Sequence, residues 1–69
     1  MEVAVNVAVE ESADFETVIA QAQRSGLKIS SRYDALRIAS GTIDKDLLRD
    51  LALTKGIKSV EEEREVRAI

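Results

Sequence analysis

The sequence predicts an α+β fold, in which four antiparallel strands form one sheet and two helices cover a single face of it. Three segments of the chain alternate apolar and polar residues with period two, which is typical of strands with one buried face, and a short fourth strand is predicted after the second helix. Two further segments repeat apolar residues at helical spacing, and each of them is followed by an isolated glycine, Gly26 or Gly56. The elements follow one another in the order βαββαβ.

The first strand is predicted over Met1–Val9. Four valines share one side of it, and the opposite side carries Glu2, Ala4, Asn6 and Ala8. We expect the valine side in the core. The other side is small and mildly polar, and it is therefore flat. It could be solvated, or it could accept the surface of a partner.

The first helix is predicted over residues 13–25. Ser12 or Asp14 can cap its start by accepting a hydrogen bond from a free backbone N–H. Gly26 suits the left-handed residue that ends many helices. Its inward-facing stripe is expected to consist of Phe15, Val18, Ile19 and Ala22.

A hairpin is predicted next. Its strands are Leu27–Tyr33 and Ala35–Ile43, joined by a tight turn at Asp34, and Ser40 and Gly41 weaken the pattern of the second strand. On this interpretation two alanines of the hairpin region, Ala35 and Ala39, lie with Ala4 and Ala8 on the open face. Arg32 and Arg37 are expected to be solvated, or paired with Glu2 or the C-terminal glutamates.

The second helix is predicted over Asp44–Lys55, with Asp44 as its cap and Gly56 at its end. Its apolar stripe is expected to contain Leu47, Leu48 and Leu51, with Ala52 alongside. The fourth strand is predicted over Ile57–Val60. Right-handed crossovers place both helices of a βαββαβ chain on one face, which is the ferredoxin-like arrangement.

Length and composition restrict the possible functions. A chain of 69 residues has room for one domain, predicted over 1–69. It contains no cysteine and no histidine, so we expect no disulfide, no metal site and no cofactor. A net charge of −3 argues against nucleic acid, and no apolar run approaches the roughly 20 residues of a membrane span. No signal peptide is visible, and a cytoplasmic location is favoured if Met1 is the native start.

Groups suited to catalysis are also scarce. The densest carboxylate cluster consists of Glu61, Glu62, Glu63 and Glu65. Acid–base catalysis by a carboxyl pair needs one member buried with a raised pKa, whereas a run of four charges usually marks a solvated surface. A glycine-rich phosphate loop and an aromatic RNA-binding platform are both missing. We therefore expect a protein that binds another protein and is not an enzyme.

Three consecutive segments carry a resemblance to a known family. They are Ala39-Ser40-Gly41-Thr42-Ile43, the helix Asp44–Lys55 with Gly56-Ile57, and Ser59-Val60-Glu61-Glu62-Glu63 with its six-residue tail. In this order they resemble the C-terminal half of the subtilisin propeptides, a family of peptidase inhibitors with free-standing members. The resemblance covers residues 39–69, and the first half of the chain agrees only in the order of its elements.

The resemblance implies a mode of action. The open sheet face would dock on two parallel helices of a subtilisin-like serine protease, and Glu61 and Glu63 would meet the N-termini of those helices. The tail, Val66, Arg67, Ala68 and Ile69, would enter the substrate cleft as an added strand. Ile69 would occupy the pocket for the residue before the scissile bond, and Val66 the other main apolar pocket. Such a domain could also template the folding of its protease.

Other interpretations of the residues stay open. The last four residues could be a frayed terminus. The domain could bind a small ligand at a dimer interface and act as a regulatory module, although a monomer is expected over a dimer. It could also be a scaffold without a specific partner.

Overall fold

The computed structural model describes residues 1–63. Four strands form one sheet in the order β2-β3-β1-β4, and every neighbouring pair is antiparallel. The strands are β1 (Glu2–Val9), β2 (Lys28–Tyr33), β3 (Ile38–Asp44) and β4 (Ile57–Glu62). Helix α1 (Phe15–Arg24) follows β1, and helix α2 (Leu48–Ala52) follows β3. This is the predicted ferredoxin-like arrangement. No helix in the described part of the chain has the length and apolar character needed to cross a membrane.

The core lies between the two helices and the valine face of β1. Val5, Val7 and Val9 are buried there, as predicted. The helices and the neighbouring strands complete the core with Phe15, Val18, Ile19, Ala22, Ile43 and Leu51. Both helices therefore cover the same side of the sheet and leave the opposite side uncovered.

The two ends of α1 are defined by side-chain and backbone hydrogen bonds. Asp14, one of the two predicted caps, accepts hydrogen bonds from the backbone N–H of Thr17 at 3.0 Å and from its hydroxyl at 2.6 Å. At the other end Gly26 has φ +110°, and the N–H of Leu27 donates to the carbonyl of Ala22. This is a Schellman ending, in which the glycine takes the left-handed conformation that a side chain would disfavour.

The third strand begins later than predicted. Residues Asp34–Leu36 form a 3₁₀ turn, and Arg37 ends that turn in the left-handed region with φ 56° and ψ 45°. The register then pairs Val7 with Ala39, so Ala39 lies on the core face and is fully buried. The prediction that Ala39 belongs to the open face was therefore wrong, and Ile38 occupies the open face in its place.

Arg37 ties this turn to the loop between β1 and α1. Its Nη2 donates to the carbonyl of Glu10 at 2.8 Å and also to the carbonyl of Ala13. Its own carbonyl accepts the N–H of Val9 at 2.9 Å. The guanidinium lies 5.9 Å from the centre of the Phe15 ring, within the range of a cation–π contact. One arginine thus joins the 3₁₀ turn to residues 9–15, a segment that is distant in sequence.

Arg32 contacts Phe15 as well, with its guanidinium carbon 5.2 Å from the ring centre. It forms ion pairs with Glu16 of α1 and with Asp34 of the 3₁₀ turn. Glu2, which we expected near the arginines, instead pairs with Lys28 at 2.7 Å. Arg32 is exposed, as one of the two alternatives predicted, but Glu2 is not its partner, because Arg32 lies on the helix side of the sheet.

The second helix is shorter than predicted. Asp44 does act as a cap, accepting the N–H of Asp46 at 2.9 Å, but Lys45–Leu47 form a 3₁₀ turn and α2 covers only Leu48–Ala52. A 3₁₀ turn advances by about 3.0 residues instead of 3.6, which shifts the apolar stripe. Leu51 is accordingly buried and Leu48 packs against the core, whereas Leu47 is left partly exposed.

Gly41 allows β2 and β3 to approach each other. The pairing of these strands is irregular between Ile29 and Ser31, and a Cβ at position 41 would overlap the backbone carbonyl of Lys28. Gly41 weakens the strand pattern in the sequence, yet it is the residue that lets the hairpin close at this irregularity.

Replacing Arg37 with alanine should lower the free energy of unfolding by about 2 kcal/mol, because hydrogen bonds from a charged donor contribute roughly 1.5–3 kcal/mol. Arg37→Gly should lower the free energy of unfolding by less than Arg37→Ala does, since glycine adopts a positive φ without strain. Urea denaturation measures both. Arg49→Ala, at an exposed position of α2, is the control and should stay within about 0.5 kcal/mol of the parent protein. An equally small effect at position 37 would show that the hydrogen bonds of the Arg37 side chain do not stabilise the fold.

Asp14 should make the stability of the protein pH-dependent. The hydrogen bonds from the Thr17 hydroxyl and backbone N–H hold the pKa of Asp14 below its ordinary value of 3.8. Its contribution to stability is therefore present above that value and is lost as the pH falls through the lower pKa of the folded state. Asp14→Asn keeps a capping oxygen that does not titrate.

Thermal unfolding followed by circular dichroism at pH 7 and pH 2 measures this effect. The melting temperature of the parent protein should exceed that of Asp14→Asn by more at pH 7 than at pH 2. Glu11→Gln, at an exposed position in the same loop, is the matched control. A difference between the parent and Asp14→Asn that is the same at both pH values would show that the charge of Asp14 is not involved.

Candidate functional site

The candidate site is the open face, which we define as the side of the sheet opposite the helices. The strand registers arrange its side chains in rows that run from β2 across β3 and β1 to β4. The first row is Tyr33, Ile38, Ala8 and Ser59; the second is Ser31, Ser40, Asn6 and Glu61; the third is Lys28, Thr42, Ala4 and Glu63. The chemistry of the face therefore changes both along the strands and across them.

The middle of the open face is flat, and some of its polar side chains hydrogen-bond to one another. The hydroxyl of Ser40 donates to the side-chain oxygen of Asn6 at 2.6 Å, and the hydroxyl of Ser30 donates to the carbonyl of Ser40 at 3.2 Å. Ala4 and Ala8 flank Asn6 on β1. Because these side chains are short and several polar atoms already have partners, another surface can approach without leaving many groups unpaired.

Glu61 and Glu63 lie together on the open face. Glu61 is the register partner of Asn6, and the N–H of Glu63 donates to the carbonyl of Ala4 at 2.8 Å. Glu62, between them, pairs with Val5 and points to the other side. Alternate residues of a strand are about 7 Å apart, so the structure brings the two carboxylates side by side at the β4 edge. That they contact a partner stays a prediction.

Negative charge is concentrated at this edge. The basic side chain of the third row, Lys28, is paired with Glu2, and this hydrogen bond raises the pKa of the Lys28 ammonium. Within residues 1–63, no ion pair includes Glu61 or Glu63. Both carboxylates are exposed. In the described structure they are thus available to a positively charged or N–H-rich group of another molecule.

The opposite corner of the face is apolar, which the sequence analysis missed. Tyr33 and Ile38 are cross-strand partners, and Leu36 projects from the 3₁₀ turn between them. Leu36 is 68% exposed and Tyr33 49%. We call these three residues the apolar corner. The sequence contained no signal of it, because Ala35–Ile43 was predicted as a strand and the exposure of Leu36 follows from the 3₁₀ turn.

The four residues of the predicted tail, Val66, Arg67, Ala68 and Ile69, lie outside the described residues. The described chain reaches the open face at Glu61 and Glu63, two of the six predicted site residues. The chain matches no protein-family model, no curated protein and no solved structure.

Proposed function

We propose that this protein inhibits subtilisin-like serine proteases by docking its open face on the enzyme and placing Val66–Ile69 in the substrate cleft. One observation carries the proposal. Glu61 and Glu63 lie side by side on a face whose centre is built from small residues, on the strand that leads directly into the proposed tail. A domain of this kind could also assist the folding of its protease.

The spacing of the two carboxylates suits a pair of helices. Packed helices lie about 8–10 Å apart, close to the separation of roughly 7 Å between alternate strand residues. Each helix N-terminus carries a partial positive charge and free N–H groups that favour an anion. Glu61 and Glu63 can therefore each accept hydrogen bonds from the N-terminus of one helix.

The flat centre of the face suits the same partner. Ala4, Ala8 and Ser40 are short enough for two helices to lie across the strands without steric obstruction. The hydrogen bond between Ser40 and Asn6 lowers the cost of removing their polar atoms from water. Close approach in turn strengthens the contact of the glutamates, because excluding water lowers the local dielectric constant.

The tail reaches the cleft from the edge of the docked sheet. Six residues follow Glu63, and an extended segment of that length spans about 20 Å. Added as a strand, Val66 to Ile69 would form backbone hydrogen bonds with the enzyme, while Val66 and Ile69 fill its two apolar pockets. The tail then occupies the cleft as a cleaved product would.

A second function is favoured by a different observation. Asn6, Ser30, Tyr33, Ser40 and Glu61 line a hollow of about 580 Å³ on the open face, a volume within the range of small-ligand sites. A regulatory domain that binds a small ligand, or dimerises through this face, would use it. Sedimentation would then show a dimer, and an amino acid or similar ligand would raise the melting temperature.

The proposed inhibition is tested with a subtilisin-type protease and a chromogenic peptide substrate. The full chain should inhibit competitively at micromolar concentration or below, and the chain lacking Val66–Ile69 should be weaker by at least about tenfold, which corresponds to about 1.4 kcal/mol. Failure of the full chain to inhibit at micromolar concentration would make the proposal wrong. Equal inhibition by both chains would rule out insertion of the tail.

The carboxylates are tested in the same assay. Glu61→Gln combined with Glu63→Gln should weaken inhibition by about tenfold at low salt, since each contact with a helix N-terminus contributes roughly 0.3–1 kcal/mol. The loss should shrink at high salt, because salt screens exposed charges. Glu62→Gln removes the same charge from the other side of β4 and is the matched control, expected to inhibit like the parent chain.

A further inference from the structure

We propose that the apolar corner, formed by Tyr33, Leu36 and Ile38, is a second contact of the open face and selects among subtilisin-like proteases. It binds an aliphatic or aromatic side chain on the enzyme surface, beyond the helix ends that accept Glu61 and Glu63. This inference rests on the proposed function, which supplies the occupant of the face. It adds a specificity determinant that lies outside the tail and outside the acidic edge, the name we give to Glu61 and Glu63 on β4.

The clustering of the three side chains supports a binding role. Single exposed apolar residues are common on protein surfaces, whereas contiguous exposed apolar residues mark surfaces that another molecule covers. Tyr33 and Ile38 face each other across β2 and β3, and Leu36 lines the same hollow of the open face. Leu53, the other strongly exposed leucine at 74%, lies at the end of α2 on the helix layer, away from this face.

The apolar corner is continuous with the acidic edge. The first row leads from Tyr33 and Ile38 through Ala8 to Ser59, and Glu61 follows Ser59 by two residues on β4. Neither Ala8 nor Ser59 is large enough to separate the two regions. Strands are spaced by about 4.8 Å and alternate residues of a strand by about 7 Å, so the corner lies roughly 12–16 Å from Glu61 and farther from Glu63. A flat partner surface that reaches both carboxylates therefore extends over the corner.

The corner is also held in position before binding. Arg37, the residue after Leu36, hydrogen-bonds the carbonyl of Glu10 and accepts the N–H of Val9. Asp34, at the start of the turn, pairs with Arg32. A turn restrained at both ends loses little conformational entropy on binding, so most of the free energy from burying Leu36 adds to affinity.

The chemistry of the corner defines the partner group. A charged side chain buried against Leu36 and Ile38 would lose its hydration without gaining a hydrogen-bond partner, which is unfavourable. An apolar side chain in the same place gains from burial. The corner therefore discriminates against proteases that carry a charged residue roughly 12–16 Å from the helix N-terminus that accepts Glu61.

Inhibition constants of Leu36→Ser, Leu36→Met and Leu53→Ser test this inference, measured at low and high salt with the full chain. Leu36→Ser should weaken inhibition about tenfold, as expected for a largely exposed leucine that becomes buried, and the loss should persist at high salt. Leu36→Met should inhibit like the parent. Leu53→Ser, which removes the same side chain from the helix layer, should also match the parent.

Combination with the glutamine variants provides an independent readout. The losses caused by Leu36→Ser and by Glu61→Gln with Glu63→Gln should multiply, since sites more than about 7–10 Å apart act independently. Melting temperatures verify that each variant is folded. If Leu36→Ser lowers the melting temperature, Ile38→Thr supplies the same test while keeping a β-branched residue in β3.

The outcomes separate the two proposals. If the parent chain inhibits and Leu36→Ser inhibits equally well, the apolar corner is not a contact and only this inference is overturned. If the parent chain inhibits no subtilisin-type enzyme at micromolar concentration, both proposals are wrong. Weaker inhibition by Leu36→Ser, with Leu53→Ser unchanged, supports the corner as a contact with the enzyme, and a loss that differs between two subtilisin-type proteases supports it as a specificity determinant.

Discussion

The strict alternation of β1 is the constraint on which the rest of the molecule depends. β1 lies in the interior of the sheet and pairs with both β3 and β4, so its period of two assigns a side to every residue opposite it. Val60, opposite Val7, packs against the core, whereas Glu61, opposite Asn6, faces outward. A slip by one residue would turn Val60 away from the core and move Glu61 to the helix side of the sheet, so the register is fixed by the valine face of β1. The forces that build the core therefore also place the acidic edge.

Arg37 connects the fold to the apolar corner. Its left-handed backbone ends the 3₁₀ turn, and the strand that follows starts with Ile38 outward and Ala39 inward. Its guanidinium meanwhile draws the loop between β1 and α1 against Phe15. A positive φ at a residue with a long side chain is strained. The strain is tolerated here because the same residue makes contacts with two other segments, and the turn that presents Leu36 is rigid as a result.

Much of this arrangement could be predicted from the sequence, and the features that were not predicted have identifiable physical causes. β1 and α1 were predicted within one or two residues because their periodicity is clean and Asp14 and Gly26 mark the helix ends. The fourth strand was predicted to end at Val60, but β4 continues to Glu62 and thereby brings Glu61 onto the open face. The face of Ala39 was predicted wrongly, since hydrophobic pattern contains no sign of a left-handed residue at position 37. The shortness of α2 was missed in the same way, because a 3₁₀ turn and an α-helix begin with the same capping residue, Asp44. The exposure of Leu36 depends on tertiary packing that no local pattern encodes.

A small domain that acts on a protease must resist cleavage while it is free, and this links the core to the proposed function. Proteases cut a chain when it opens, at a rate that follows the population of open molecules if closing is fast. With 69 residues and no disulfide, the chain has little stability to spare. The capped ends of α1 and the contacts of Arg37 lower the population of open molecules. Under the proposed function docking would lower it further, because the enzyme would bind only the folded face. Affinity and survival are therefore coupled: a change in the core that leaves the open face intact would still weaken inhibition over time, through loss of the inhibitor and not through loss of contact.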